Sequence, residues 1–135
     1  MATWPTPEQI EAFLAGPPDE PVVMLNMLKF KAQADPSHAG MSGAEAVRLY
    51  SVQMKEFVEA RGGTFVLAAN IDSQLIGEGG EDFEFVGIMR YPSRRRYLEL
   101  AGDPEVARTI GKHREAGLES QWLFAMSEVS SDVTA

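Results

Sequence analysis

Cysteine is absent from this 135-residue chain, which excludes disulfides, thiolate metal sites and a cysteine nucleophile. Histidine is scarce: His38 and His113 are the only two. Neither belongs to an H-x-x-x-H or H-E-x-x-H pattern, so no metal-ligand set is expected. Basic residues are outnumbered, 12 Lys and Arg against 20 Asp and Glu, for a formal net charge of −8. Such a surface repels phosphate, which argues against nucleic acid as the main partner and against docking on an anionic membrane. No apolar run is long enough to cross a bilayer. Met1 to Pro7 lack a basic stretch followed by an apolar core, so no export signal is expected. A cytoplasmic protein is the resulting expectation, and the lack of cysteine fits it. Gly77, Gly79 and Gly80 do not lead from a strand into a helix, so they form no nucleotide loop. A G-x-S-x-G elbow is missing as well. The sequence carries no signature of a cofactor, and none is predicted.

The rest of the composition is globular. Hydrophobic residues make up 44% and charged residues 24%, enough for one domain with its own core. Thr6-Pro7-Glu8-Gln9 opens a short helix with a capping box and a proline at its first position. Ile10, Phe13 and Leu14 share one face of it, and Gly16-Pro17-Pro18 ends it. Pro21 to Phe30 (PVVMLNMLKF) reads as a strand, with Asn26 as its interior polar residue, and residues 31–41 read as a loop. Ser42 to Glu45 form a second capping box. Val47, Tyr50, Met54, Phe57 and Val58 then recur at helical spacing up to Gly62-Gly63.

Thr64 to Ile76 reads as a long strand bulged near Asn70 to Ser73. A turn over 77–82 joins it to a strand from Phe83 to Tyr91. Ser93 caps a short helix carrying Tyr97, Leu98 and Leu100. Asp103-Pro104 restarts the helix, whose inward face is predicted to hold Val106, Ile110 and His113, and Gly117 stops it. Leu118 to Ser127 is the last strand. The expected organisation is a helical appendage over 1–20, a core domain over 21–127 and a flexible tail over 128–135.

The core order is β-α-β-β-α-β, the split βαβ pattern of ferredoxin-like α+β folds. It predicts a four-stranded antiparallel sheet with the first and third strands central. The strands are apolar on both faces: Trp122, Phe124 and Met126 against Leu123 and Ala125, and Phe83, Phe85 and Met89 against Val86 and Ile88. Helices of this pattern cover one face only. The other would expose several hundred Å² of apolar surface, on the scale that marks an interface. A second copy stacked sheet to sheet about a two-fold axis covers it, giving a dimeric α+β barrel around an apolar pocket. The N-terminal helix folded across that face is the alternative.

VMLNMLKF, the helix with Tyr50, ARGG, LIG, and the run from IMRYPS through DPE to KHREAGL resemble the family known as domain of unknown function 1330, over residues 21 to 127. That resemblance implies the dimeric α+β barrel fold. Proteins of that superfamily include haem-degrading and cofactor-free monooxygenases, polyketide cyclases and stress-induced proteins. The haem-degrading ones carry an asparagine on the first strand, which Asn26 matches. Tyr91 stands where they have tryptophan, and His113 falls later than their histidine.

Six residues are the candidate site. Asn26, a polar residue in an apolar strand, either hydrogen-bonds a ligand or is satisfied by its neighbours. His113 is a candidate general base, with a core histidine bonded to a carbonyl as the plain alternative. Arg114 and Arg90 could anchor an anion bidentately or pair with carboxylates such as Glu84. Tyr50 and Tyr91 could turn hydroxyls toward a pocket or simply pack. Arg94-Arg95-Arg96 reads as a solvated face, and His38 receives no role. The sequence therefore points to a homodimer that binds a small hydrophobic or aromatic molecule. Two alternatives stay open. One is a cofactor-independent monooxygenase, cyclase or isomerase for a small aromatic or polyketide-like substrate, with His113 as base. The other is a structural dimer without chemistry.

Overall fold

The computed structural model describes residues 3–129, without the Glu81 side chain. Residues 130–135 of the expected tail lie outside the described residues. The elements run α1 (Pro7–Leu14), β1 (Val22–Phe30), α2 (Gly43–Glu59), β2 (Thr64–Asn70), β3 (Phe85–Tyr91), α3 (Arg94–Ala101), α4 (Gly111–Gly117) and β4 (Leu118–Met126). Both capping boxes form. Thr6 Oγ1 accepts from the Gln9 N–H at 3.1 Å while Gln9 Oε1 accepts from the Thr6 N–H at 2.9 Å. Ser42 and Glu45 make the same reciprocal pair at 3.1 Å each. These bonds satisfy amides that a helix start leaves free. Asp103 also accepts from the Glu105 N–H at 2.8 Å, opening the last helical segment where its sequence predicts.

The sheet order is β2-β3-β1-β4, with every neighbouring pair antiparallel. This is the ferredoxin-like α+β fold, with β1 and β3 central as the split βαβ pattern requires. β2 is shorter than its sequence suggests. It ends at Asn70, and its irregularity falls between Phe65 and Leu67. Beyond Asn70 the Gln74 side chain accepts from the Gly80 N–H and donates to the Ile76 carbonyl. Local side-chain bonds thus replace ladder bonds in holding the loop backbone.

Cross-strand partners share a face, so the register sorts the side chains. Val22, Met24, Asn26 and Leu28 of β1 line up with Tyr91, Met89, Gly87 and Phe85 of β3, and the last three of the four with Ala125, Leu123 and Gln121 of β4. This face meets the helices. Val22, Met24 and Tyr91 pack against Met54, Phe57 and Val58 of α2, with Leu100, Val106 and Ile110 completing the core. Leu28, Val47 and Leu118 form a second cluster flanked by Phe30 and Phe85.

The opposite face carries Val23, Leu25 and Met27, then Val86, Ile88 and Arg90, then Trp122, Phe124 and Met126. No described helix packs on its centre, and Trp122 and Phe124 remain 56% and 47% exposed. The N-terminal helix does not cover it. α1 lies instead on α3, where Phe13 meets Tyr97 edge to face at 5.5 Å. Arg94 stacks on the Phe13 ring and donates to the Phe13 carbonyl at 3.0 Å. This corrects the reading of the three arginines as a solvated face: Arg94 is buried, and Arg96 reaches the Arg61 carbonyl. Only Arg95 of the three is exposed.

The segment before α4 departs from α geometry. Val106–Ile110 is wound as a π-helix, and the Gly111 N–H donates to the Val106 carbonyl five residues back. A Cβ on Gly111 would meet that same carbonyl oxygen at 2.6 Å, so glycine is what the wide turn accepts. Such turns insert a residue and shift the phase of the helix beyond them. The inward stripe runs from Ile110 to Arg114 and Gly117, and His113 turns aside.

Candidate functional site

Two polar residues on the helix-facing side of adjacent strands start the site. Asn26 of β1 and Gln121 of β4 interrupt otherwise apolar patterns. Gln121 Nε2 donates to Asn26 Oδ1 at 2.7 Å. The Asn26 amide nitrogen donates in turn to the carbonyls of Gly87 at 3.2 Å and Met24 at 3.4 Å. Gln121 Oε1 accepts from Arg114 Nη2 at 2.7 Å. A polar relay thus runs from the sheet to α4, and it fixes the guanidinium through a part-buried amide pair.

Arg114 is the residue this relay presents. Its Nη2 also donates to the Thr3 carbonyl, and the Trp4 ring lies 5.0 Å from the guanidinium carbon. Both hydrogen bonds use one nitrogen. Nη1 and Nε have no hydrogen-bond partner, and no carboxylate pairs with the residue, among the described residues. A part-buried cation whose partners are all neutral keeps its attraction for an anion.

Tyrosines stand around the inner end of the relay. Burial raises the Tyr50 hydroxyl above its ordinary value, with the Arg114 charge pulling the other way. Burial likewise pushes Tyr97 up to about 12, and Tyr91 rises for the same reason with Tyr97 and Tyr50 adding to it. All three phenols are therefore neutral hydrogen-bond donors at physiological pH. Tyr91 is spent on packing: it meets Tyr97 edge to face at 4.9 Å and its hydroxyl lies 3.8 Å from the Met89 sulfur. The hydroxyls of Tyr50 and Tyr97 have no hydrogen-bond partner among the described residues. Leu123, beside Asn26 on the helix-facing side, is 40% exposed, so the helices leave the middle of the edge strand open. A cleft of about 330 Å³ lies against Thr3, Trp4, Lys31, Arg114 and Leu118, with Glu115 and Glu119 at its side.

The six residues singled out from sequence do not form one site. Asn26, Tyr50, Tyr91 and Arg114 share the helix side of the sheet. Arg90 is on the opposite face, where its guanidinium bonds Glu128 and not Glu84. Its Nε is buried without a hydrogen-bond partner among the described residues. Asn26 consequently faces away from the interior that a sheet-to-sheet pair would enclose, because even and odd positions of a strand point to opposite sides. His113 belongs to a different cluster. Its Nδ1 is 2.7 Å from His38 Nε2, its Nε2 is 3.4 Å from Gln53 Nε2, and His38 Nδ1 is 2.9 Å from Ser37 Oγ. With the Gln53 amide donating, His113 donates from Nδ1 to His38, which donates to Ser37. His113 shares no hydrogen bond with Asn26, Arg114 or Gln121, and Arg90 lies on the other face of the sheet, so these residues do not meet in one constellation. Sequence reasoning passed over Gln121, although it breaks the LESQWLFAM pattern as Asn26 breaks VVMLNMLKF. It also gave no role to His38, whose partner is 75 residues away.

No family model matches the chain, and no curated protein does. Solved structures do. The crystal structure of methylated RPA0582 protein is 30% identical over 96% of both chains, with a TM-score of 0.83. A second structure of RPA0582, described as a protein of unknown function from Rhodopseudomonas palustris, is 31% identical over 94% of this chain and 96% of that one, TM-score 0.80. SnoaB, a cofactor-independent oxygenase from Streptomyces nogalater, is 14% identical over 83% and 98%, TM-score 0.51. A DABB family protein with a ferredoxin-like fold from Mesorhizobium loti is 17% identical over 82% and 98%, TM-score 0.51. The last two likenesses show the fold alone.

Proposed function

The chain belongs to the family of the RPA0582 protein of Rhodopseudomonas palustris, and from that premise we propose that it is a homodimeric α+β barrel protein that binds a small organic anion between its helix layer and its sheet. Membership in the domain of unknown function 1330 family, inferred from the motifs between residues 21 and 127, is part of the same proposal. The observation that carries the binding reading is Arg114. It is held by Gln121, which Asn26 holds in turn, has two donor nitrogens to spare and pairs with no carboxylate among the described residues. Tyr50 and Tyr97 supply further uncommitted donors to an oxygen-rich ligand. The exposed face with Trp122 and Phe124 supports the dimer, since burying apolar surface is worth about 25 cal/mol per Å².

The chemistry these groups offer is anchoring and hydrogen-bond donation. The relay contains no free base: its amides are consumed by one another, and the histidine pair has its own partners. Binding without turnover is therefore the reading the geometry favours. Thermal-shift screening of small carboxylates tests it. Stabilisation of the native protein, lost in Arg114→Leu and weakened in Arg114→Lys, is expected. A lysine keeps the charge but not the fork. Equal stabilisation of all three proteins would remove the site.

A further inference from the structure

Arg114 is already engaged, and the groups that engage it belong to the chain itself. The Thr3 carbonyl accepts from Nη2, and the indole of Trp4 lies over the guanidinium. An oxygen acceptor next to a flat aromatic ring is therefore what this arginine holds now. Trp4 is otherwise 66% exposed. Its large apolar ring has little burial to keep it there, so the cation–π contact accounts for its position. A cleft of about 330 Å³ lies at the same place with Thr3 and Trp4 in its lining, at the low end of the range for small-molecule sites.

Charge narrows the class further. Lys31 Nζ is committed to Asp35 at 2.8 Å and to the Glu115 carbonyl at 3.2 Å. Glu119 pairs with Lys29. Glu115 lines the cleft and has no ion pair among the described residues. The cleft thus carries one cation and one acid that have no charged partner among the described residues. That balance suits a single negative charge on the ligand and opposes a phosphate or a dicarboxylate, which would meet Glu115 with charge to spare. Either fork that a guanidinium offers a carboxylate, Nη1 with Nη2 or Nε with Nη2, uses Nη2, so a fork opens on Arg114 only when the Thr3 carbonyl releases that nitrogen.

We infer that the Arg114 cleft is a binding site for an aromatic monocarboxylate, and that the Thr3–Trp4 segment occupies this site in the ligand's absence. This rests on the small-molecule reading above. The ligand's carboxylate takes the guanidinium, and its ring takes the place of the Trp4 indole. Binding then requires the segment to leave, so the segment lowers apparent affinity as any competing occupant does.

Calorimetric titration with benzoate and with cyclohexanecarboxylate tests this on the full chain and on Trp4→Ala. The two acids match in charge and differ in their ring. Benzoate is expected to bind Trp4→Ala roughly threefold to thirtyfold tighter than the native protein, the range a cation–π contact is worth. Cyclohexanecarboxylate should bind more weakly than benzoate to both. Circular dichroism verifies that Trp4→Ala folds, which its exposed position leads us to expect. Two results overturn the inference and leave the anion site standing: equal benzoate affinity in the two proteins, or cyclohexanecarboxylate binding as well as benzoate. Absence of any carboxylate binding to either protein overturns the site as well.

Discussion

At the scale of single residues, the two polar clusters respond to different variables. The Asn26–Gln121–Arg114 relay is built of two amides and a guanidinium. The other cluster contains the imidazole of His113. Burial and the neighbouring imidazole hold His113 below the ordinary histidine value of 6.5. The unfolded chain therefore takes up a proton at a higher pH than the folded one, and stability falls as the pH falls wherever that difference exists. The contribution is complete above pH 6.5 and declines as the pH drops through the lower folded value. A proton on His113 Nε2 also points at the Gln53 amide, which can no longer donate to it. Thermal melts between pH 5 and 8 should show the native protein losing a few degrees on the acid side, and His38→Ala should flatten that slope. An unchanged slope in His38→Ala would mean that His113 is not held by its partner. Asn26 was legible in the sequence as a polar break in an apolar strand, and Arg114 as a cation beside His113 that could anchor an anion. The histidine pair was not, because nothing local joins a loop residue to one 75 positions later.

At the scale of elements, the helices are positioned by glycines as much as by their apolar stripes. Gly43 at the start of α2 and Gly117 at the end of α4 bring their backbones into contact. A Cβ on Gly117 would run into the Gly43 carbonyl, and one on Gly43 into the Lys31 carbonyl. Both residues are buried. Gly117 reads from sequence as a stop signal, which it is, but its close approach to α2 is a tertiary requirement. Gly117→Ala should cost about 3 kcal/mol, in the range of overpacked sites, and urea unfolding would show it as a lower midpoint with an unchanged slope. A loss under about 0.5 kcal/mol, the size of a neutral surface change, would mean that the two helices separate at little cost. α1 reads from sequence as an appendage. Its capping box is legible there, but its seat on α3 depends on Arg94, and an arginine bound for a buried stacking position looks in sequence like the two after it.

At the scale of the whole molecule, the two-sided sheet is the dominant fact. Its helix side is a core, and its other side is a row of aliphatic and aromatic residues with Trp122 and Phe124 half exposed. Trp122 approaches the buried Phe83 at 4.6 Å and Phe124 at 6.1 Å, so the exposed part of this aromatic cluster is Trp122 and Phe124. In the proposed dimer, a second copy seated there would turn the cluster into an interior. Phe124→Glu should shift the protein from dimer to monomer in sedimentation equilibrium, because a charge buried there would have no partner. A dimer that survives this change would have to use another surface. No helix among the described residues is long and apolar enough to cross a membrane.

The amino-acid sequence by itself determined the order of the elements, their caps and the two-faced character of the strands. Those properties arise from side chains within a few residues of each other, where hydrogen-bonding reach and the periods of helix and strand leave little choice. Only the tertiary structure decided which polar residues meet. It joined Gln121 to Asn26 across a strand pair and turned Arg114 inward in place of His113 through the wide turn at Gly111. It also sent Arg90 to the far side of the sheet. Each of those outcomes depends on register, on helix phase or on contacts between distant segments, and a shift of one residue in any of them would reassign every partner.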